Sequence, residues 1–240
     1  MAGSFYNPVA PEENRMAQIV MFGAGKVADV IYRHIRNSGT HSVEAFTTDA
    51  AHLPESETFH NKPIVPFEDI IERYPPERFQ MLIAIGYHEL NAARKAKYDE
   101  AKAKGYRFAS YISPRAGVGD WLEAGDNSIV LDNAVIEPGV RIGNNVVIWS
   151  GALIGHHSTI GDHSWIAGNA TFGGSANLGA RSFVGLAATI GHEVELGEQS
   201  FVGAGALITK CSEAKSVFIE SSTDLFRLDS ERFLKISKLR

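Results

Sequence analysis

This sequence contains almost no cysteine, no long apolar run and no strong excess of either charge. Its 240 residues include one cysteine, Cys211, which excludes an internal disulfide and a metal site built from several cysteines. A net charge of -5 gives no general attraction to nucleic acid or to an anionic membrane. No segment reaches the ~18 consecutive apolar residues of a membrane-spanning helix. We therefore predict a cytoplasmic globular protein with no nucleic-acid partner and no membrane insertion.

Four segments are predicted, because the pattern of the sequence changes near residue 113. The first, 1–17, contains acidic residues and no apolar core of the kind that a signal peptide has, so we interpret it as an N-terminal extension. An α/β domain is expected over 18–113 and a repetitive domain over 114–211, and 212–240 forms a C-terminal tail.

Short apolar runs alternate with helical stretches over residues 18–112. The runs predict strands at 18–22, 42–46, 79–86 and 106–112, and the stretches between them predict helices at 23–39, 67–74 and 88–105, with a proline-containing loop after the second strand. Alternating strands and helices with short connections imply a parallel sheet of the Rossmann-like type.

A glycine turn follows the first strand, with the sequence GAGKVA at residues 23–28. This pattern at the start of a helix lets backbone N–H groups approach a phosphate, where the helix dipole favours an anion. The same pattern also serves as a simple tight turn between strand and helix. On the first interpretation the binding residues are Gly23, Ala24, Gly25 and Lys26.

Two further candidates lie where strands of this domain end. Asp49 follows the second strand, where such folds place a carboxylate on a ribose hydroxyl, although a solvated loop aspartate is the alternative. Gly86 and Tyr87 begin a loop after the third strand. Because ligands of open parallel sheets bind at the carboxyl ends of the strands, we expect these residues near a ligand.

The second half of the chain repeats every six residues. Fourteen large apolar residues occur at this spacing without a gap: Val130, Ile136, Ile142, Ile148, Ile154, Ile160, Ile166, Phe172, Leu178, Val184, Ile190, Leu196, Val202 and Ile208. A small or β-branched residue follows four places after each one up to Val202, and glycine follows one place after nine of the fourteen. Such a period predicts a hexapeptide-repeat β-helix, with three repeats in each triangular coil. We expect the apolar residues inside and the glycines at the corners.

The α/β domain, the uninterrupted hexapeptides and the ending VGAGALITK together resemble the left-handed β-helix sugar acyltransferases. The similarity is strongest to the branch containing sialic acid O-acetyltransferases and N-acetyltransferases of nucleotide-linked amino-dideoxy sugars. It implies a left-handed parallel β-helix, a homotrimer, acetyl-CoA between neighbouring β-helices, and a nucleotide-linked amino sugar held by the N-terminal domain.

The resemblance also implies the catalytic residues. Matching the family's I-x-H-[E/D] pattern to IGHHS identifies His156 as the general base, with His157 where a carboxylate often stands. Glu137 is then the candidate for orienting the base. Gly174, eighteen residues after His156, corresponds to the backbone N–H that holds the acyl oxygen. Trp165 stands where some members have a second histidine and is a candidate for sugar binding.

For the coenzyme, the resemblance implies contacts at Gly174, Ala188, Gly203, Gly205 and Lys210. His163 belongs to a polar column and is expected on the surface or in a trimer contact. No metal is expected. Trimeric β-helix carbonic anhydrases bind zinc through histidines, and the third of these histidines would correspond to Gly197 in this sequence. The first expectation is sugar N-acetylation in surface glycan synthesis. Sugar O-acetylation and a non-catalytic trimeric scaffold remain alternatives.

Overall fold

The computed structural model describes residues 16–237, so the predicted N-terminal extension lies almost wholly outside the described residues. Its N-terminal domain is a five-stranded sheet in the order β3-β4-β2-β1-β5. The strands are β1 (Gln18–Phe22), β2 (Ser42–Thr48), β3 (Thr58–Phe59), β4 (Lys62–Pro66) and β5 (Gln80–Ile83). All pairings are parallel except that of β3 with β4. The helices are α1 (Lys26–Ser38), α2 (Ile70–Arg73) and α3 (Ala92–Ala103).

Several boundaries differ from the sequence prediction. The proline-containing loop includes the hairpin β3–β4, in which β3 is the edge strand and Pro63 and Pro66 lie in β4, between β3 and β2. The helix expected over 67–74 is a 3₁₀ turn, Phe67–Asp69, followed by the single α-helical turn α2. Helix α3 begins at Ala92 rather than residue 88, because Glu89, Leu90 and Asn91 all have left-handed backbone conformations.

The strand predicted at 106–112 is wrong in both length and partner. Only β6 (Tyr111–Ile112) is a strand, and it pairs with a strand of the second domain, not with the N-terminal sheet. Residue 108 reaches the N-terminal sheet through one isolated bridge to Met81. The segment therefore connects the two domains.

The second domain is a parallel β-helix with three faces. Its first face contains β6 and the strands β8 (Ile129–Val130), β11 (Val147–Ile148), β14 (Trp165–Ile166), β17 (Phe183–Val184), β20 (Phe201–Val202) and β22 (Val217–Phe218). The second face contains β9 (Val135–Ile136), β12 (Leu153–Ile154), β15 (Thr171–Phe172), β18 (Thr189–Ile190) and β21 (Leu207–Ile208). The third contains β7 (Glu123–Ala124), β10 (Arg141–Ile142), β13 (Thr159–Ile160), β16 (Asn177–Leu178) and β19 (Glu195–Leu196).

The strand register confirms the predicted repeat. Residues eighteen apart pair along each face, as Val147 does with Trp165 and Trp165 with Phe183. All fourteen large apolar residues of the six-residue column are at most 5% exposed and fill the interior of the prism. Burial of this continuous apolar column supplies the main stabilisation, since no coil can bury its inward face without its neighbours.

The glycines of the repeat lie at the corners as expected, but they are required there for space and not for backbone freedom. The left-handed residue of each repeat stands two places later, at fourteen positions from Asn127 to Gly205 with φ between +51° and +78°. Eleven of these are not glycine, whereas Gly155 and its equivalents are needed for space. A Cβ on Gly155 would stand 2.7 Å from the carbonyl oxygen of Phe172 in the next coil.

A buried polar network joins the two domains. The guanidinium of Arg94 on α3 donates to the carbonyl oxygens of Asn145, His163 and Ser164 in the β-helix, and its contact with the side-chain oxygen of Asn91 is 2.8 Å. The guanidinium carbon of Arg94 also lies 5.8 Å from the ring centroid of Trp165. Burial lowers the pKa of Arg94 to about 9, so the cation remains charged near neutrality.

His163 is part of this network, and the expectation that it lies on the surface is wrong. Its side chain is buried, and its Nδ1 accepts a 2.9 Å hydrogen bond from the Asn145 amide. Burial lowers the pKa of His163 to about 4, opposed by the charge of Asp162 and reinforced by that of Arg94. The ring is therefore neutral and belongs to the domain interface.

Beyond the last complete coil, β22 still pairs with the first face, so the predicted tail 212–240 begins inside the β-helix. Helix α4 (Ser230–Ser237) follows. Within residues 16–237, no helix is long and apolar enough to cross a lipid bilayer.

Candidate active site

The predicted base stands at an exposed corner of the β-helix. We call this the histidine corner; it joins the second and third faces and consists of 137–139, 155–157, 173–175 and 191–193 in successive coils. The imidazole of His156 lies over Gly174 in the next coil. A Cβ on Gly174 would be 2.4 Å from Cε1 and 2.5 Å from Nε2 of His156, so only glycine leaves the ring its place.

Two polar groups at this corner are open to a substrate. Neither Nε2 of His156 nor the backbone N–H of Gly174 has a hydrogen-bond partner within the described part of the chain. One is a potential proton acceptor and the other a fixed donor, which are the two functions that acyl transfer requires.

Glu137 does not orient the imidazole of His156, contrary to expectation. Its Oε2 instead accepts a 2.8 Å hydrogen bond from the backbone N–H of His156 and fixes the main chain. The ring contact is made by His157, whose Nδ1 lies 3.1 Å from Nδ1 of His156. Both histidines are exposed.

His192, two coils beyond His156, bounds the other side of Gly174. Its ring centroid is 6.4 Å from that of His156, and its Nε2 lies 3.3 Å from the carboxylate of Glu193. Among the described residues, no group of three or more histidine, cysteine or acidic side chains is arranged to hold a metal ion.

The glycine turn of the N-terminal domain is an uncapped helix start. Gly25 is the N-cap of α1, and no side chain caps its N-terminus. Ala24 is half-buried, and Gly25 and Lys26 are exposed. Gly23 has a different function: its N–H donates to Thr47, and its φ of +119° and the carbonyl of Ala84, 2.7 Å from an added Cβ, require glycine.

Asp49 is already paired at the carboxyl end of β2. Its carboxylate accepts a 2.8 Å hydrogen bond from the ammonium of Lys97, which also bonds Glu100. These bonds and charges raise the pKa of Lys97 despite its partial burial. The sequence gives no signal for Lys97, because this residue lies 48 residues further along the chain, on a helix whose charges are typical of an exposed surface.

The loop after β5 brings Tyr87 onto the first face of the β-helix. The Tyr87 ring lies 5.3 Å from Trp165 and 4.5 Å from Phe183. Gly86 lies beside the glycine turn, since a Cβ built on Gly86 would be 4.0 Å from the side chain of Val27. Trp165 is buried between the domains and forms the floor beneath Tyr87, which is itself exposed.

The expected coenzyme residues separate into three places. Lys210 is exposed and continues the column of His156, Gly174 and His192 by one coil, as the register of β18 and β21 requires. Gly203 and Gly205 lie at the corner between the first and second faces. The prediction for Ala188 is wrong, because its side chain is buried in the interior of the prism, where a coenzyme has no access.

The predicted base and the predicted sugar-binding residues therefore lie on different sides of one chain. The N-terminal domain packs on the first face, whereas the histidine corner joins the other two faces. A single chain brings together Glu137, His156, His157 and Gly174, and separately the glycine turn, Gly86, Tyr87 and Trp165.

Comparisons with known proteins agree with this architecture. The family model described as bacterial transferase hexapeptide (six repeats) matches residues 125–156. The acetyltransferase domain of PglB from Neisseria gonorrhoeae FA1090, solved with acetyl coenzyme A, is 22% identical with a TM-score of 0.74, over 84% of this chain and 95% of that one.

PerB from Caulobacter crescentus, solved with CoA and GDP-perosamine, is 22% identical with a TM-score of 0.74, over 83% of this chain and 92% of that one. WeeI from Acinetobacter baumannii AYE is 21% identical with a TM-score of 0.73, over 83% and 95%. No curated protein matches the sequence. The predicted fold, an α/β domain followed by a hexapeptide β-helix, is confirmed.

Proposed function

We propose that this protein is an acetyl-CoA-dependent N-acetyltransferase that acts on the amino group of a nucleotide-linked amino-dideoxy sugar. The observation that carries the proposal is the histidine corner, where Nε2 of His156 and the N–H of Gly174 are both open beside one another. The likeness to PglB, solved with acetyl coenzyme A, and to PerB, solved with CoA and GDP-perosamine, supports these substrates.

The reaction needs no covalent enzyme intermediate. The sugar amine attacks the thioester carbonyl carbon and a C–N bond forms, while Nε2 of His156 takes a proton from the attacking nitrogen. The N–H of Gly174 donates to the oxyanion, a contribution of about 3 kcal/mol for a donor of this kind. Collapse of the intermediate breaks the C–S bond, and the imidazolium returns its proton to the departing sulfur.

The path of the coenzyme follows the column that descends from the base. Lys210 stands three coils beyond His156, about 14 Å away at a strand spacing of ~4.8 Å. A thioester at His156 would extend its pantetheine arm along the corner and place a phosphate near the Lys210 ammonium.

A homotrimer resolves the separation between base and sugar site. Because the N-terminal domain covers the first face and the base lies on the opposite corner, one chain cannot present its own sugar to its own His156. We propose that the N-terminal domain of one subunit serves the histidine corner of the next. The subunit that contributes its N-terminal domain would also contribute its own Gly203 and Gly205 corner to the coenzyme groove.

Within the N-terminal domain, the uncapped start of α1 at Gly25 is proposed to hold the sugar nucleotide's phosphates. Asp49, paired with Lys97, would contact the nucleoside, and Tyr87 on its Trp165 floor would contact the sugar. A cytoplasmic location and a part in surface glycan synthesis belong to the same proposal. Sugar O-acetylation is the second candidate, because a hydroxyl could be deprotonated by the same histidine.

The direct test compares the parent with His156→Asn in a thiol-release assay. Acetyl-CoA is combined with GDP-, UDP- or dTDP-linked amino-dideoxy sugars, and the products are identified as amide or ester by mass spectrometry. We expect a loss of at least 10²-fold for the variant, consistent with removal of a general base, and unchanged CoA binding. His192→Asn is the matched control at the same corner and should retain transfer.

Full activity of His156→Asn would contradict the base assignment. An ester product would support the O-acetylation alternative. A parent that binds no CoA and transfers nothing would favour the trimeric scaffold.

A further inference from the structure

The two adjacent imidazoles of the histidine corner share a single proton. Nδ1 of His156 and Nδ1 of His157 are 3.1 Å apart, so one must donate and the other must accept. Two neutral rings satisfy this contact only in opposite tautomers. A ring with its proton on Nδ1 has a free lone pair on Nε2, which is the form that a general base needs.

The position of His157 is imposed by the backbone. It has φ of +59°, and the other residues at this place of the repeat are also left-handed. Its ring lies over Gly139 in the preceding coil. A Cβ on Gly139 would stand 2.8 Å from Cδ2 of His157, so the glycine leaves space for this ring. The fold thus holds the imidazole against His156 from below.

We propose that His157 is a positioning residue that accepts the Nδ1–H of His156 and keeps Nε2 of His156 free over Gly174. The hydrogen bond itself follows from the geometry, whereas the choice of His156 as the donor rests on the proposed function, because a general base needs a free Nε2. The nearby carboxylates are engaged elsewhere, since Glu137 bonds the backbone N–H of His156 and Glu193 lies beside His192. A neutral acceptor therefore replaces the carboxylate that usually orients a catalytic histidine.

The tautomer can be measured without any substrate. ¹⁵N-histidine labelling and long-range ¹H–¹⁵N correlation spectra distinguish Nδ1–H from Nε2–H, and the signals that disappear in His156→Asn identify His156. We expect the Nδ1–H form of His156 in the parent. In His157→Ala we expect loss of that preference. Alanine fits this backbone, because Ala187 occupies an equivalent position with φ of +54°.

Two further variants separate the hydrogen bond from general damage. His157→Asn should restore the Nδ1–H form, because its amide oxygen can accept and asparagine already occupies equivalent positions at Asn133 and Asn169. Gly139→Asn changes neither histidine in the sequence, but its side chain occupies the space of the His157 ring. It should therefore reproduce the effect of His157→Ala.

In the transfer assay, His157→Ala should lower kcat at least tenfold with little change in KM for acetyl-CoA, and His157→Asn should recover most of the rate. An unchanged His156 tautomer in both His157→Ala and Gly139→Asn would overturn the proposal. A lost tautomer with an unchanged rate would uphold the positioning and refute His156 as the base, so the two failures are distinguishable.

Discussion

Acid should weaken the junction between the two domains through His163. The pKa of this buried ring is lowered from 6.5 to about 4, chiefly by burial. Below pH 6.5 the unfolded chain binds a proton at this site that the folded chain does not. The free energy of unfolding therefore decreases as the pH falls from 6.5 towards 4, and it is independent of this residue above that window.

The structure bounds the size of this effect. At 1.36 kcal/mol for each pKa unit, the difference between 6.5 and about 4 corresponds to at most about 3 kcal/mol. Because the ring keeps a small exposed edge, we expect about 1–3 kcal/mol. Charging the ring also removes the Nδ1 lone pair that accepts from Asn145, and it places a second cation beside Arg94.

The matched variant is His163→Asn. Asparagine fits the left-handed backbone, since Asn127 and Asn145 occupy the same column, and its amide oxygen can accept the bond from Asn145. Urea denaturation at pH 7.5 and at pH 4.5 gives the free energy of unfolding of each protein. The parent should lose about 1–3 kcal/mol more than the variant. His34 and His41, whose pKa values are also lowered, contribute equally to both and cancel. Equal losses would refute the reasoning.

Four further substitutions have defined expected outcomes. Gly174→Ala should reduce acetyl transfer at least tenfold with little change in Tm, because the atoms nearest its Cβ belong to the exposed His156 ring. Gly161→Ala should lower the free energy of unfolding by about 1–3 kcal/mol, because its Cβ would meet the backbone of Ala180. Gly205→Asn is the control and should leave the Tm within about 2 °C of the parent, because no atom lies within 4 Å of an added Cβ there. Arg94→Met should cost at least about 3 kcal/mol in urea denaturation and expose the domain junction to proteolysis, because several buried oxygens lose their donor.

The β-helix could be predicted from the sequence because its physics is local and periodic. Each inward residue meets its equivalents eighteen places away, so one column of large apolar residues determines both the strand and its register. The N-terminal strands β1, β2 and β5 were predicted for a related reason. Strands β1 and β5 are short runs of mostly apolar residues, and β2 buries Val43, Ala45 and Phe46. The hairpin β3–β4 gave no such signal, because β3 has only two residues and β4 contains two prolines.

The functional surroundings depend on contacts that no local pattern encodes. From the sequence alone, Arg94 is expected to be an ordinary charged residue on an exposed helix. Its partners, however, lie about fifty to seventy residues later, at Asn145, His163 and Ser164. The pairing of Asp49 with Lys97 likewise joins a strand end to a distant helix. The partners of Glu137 and His157 at the base could not be inferred either, because spacing gives the column of a residue but not the direction of its side chain.

The two histidines His157 and His163 show how the same place in a repeat can be either exposed or buried. They occupy the same place in successive hexapeptides, with φ of +59° and +61°, so local conformation does not distinguish them. The corner of His163 is covered by α3, and the buried cation of Arg94 reinforces the neutral ring there. Among the described residues, no element of the N-terminal domain covers the corner of His157, whose ring lies beside His156 and Gly139. Which corner the N-terminal domain covers therefore decides whether a histidine at this place of the repeat is buried or open to solvent.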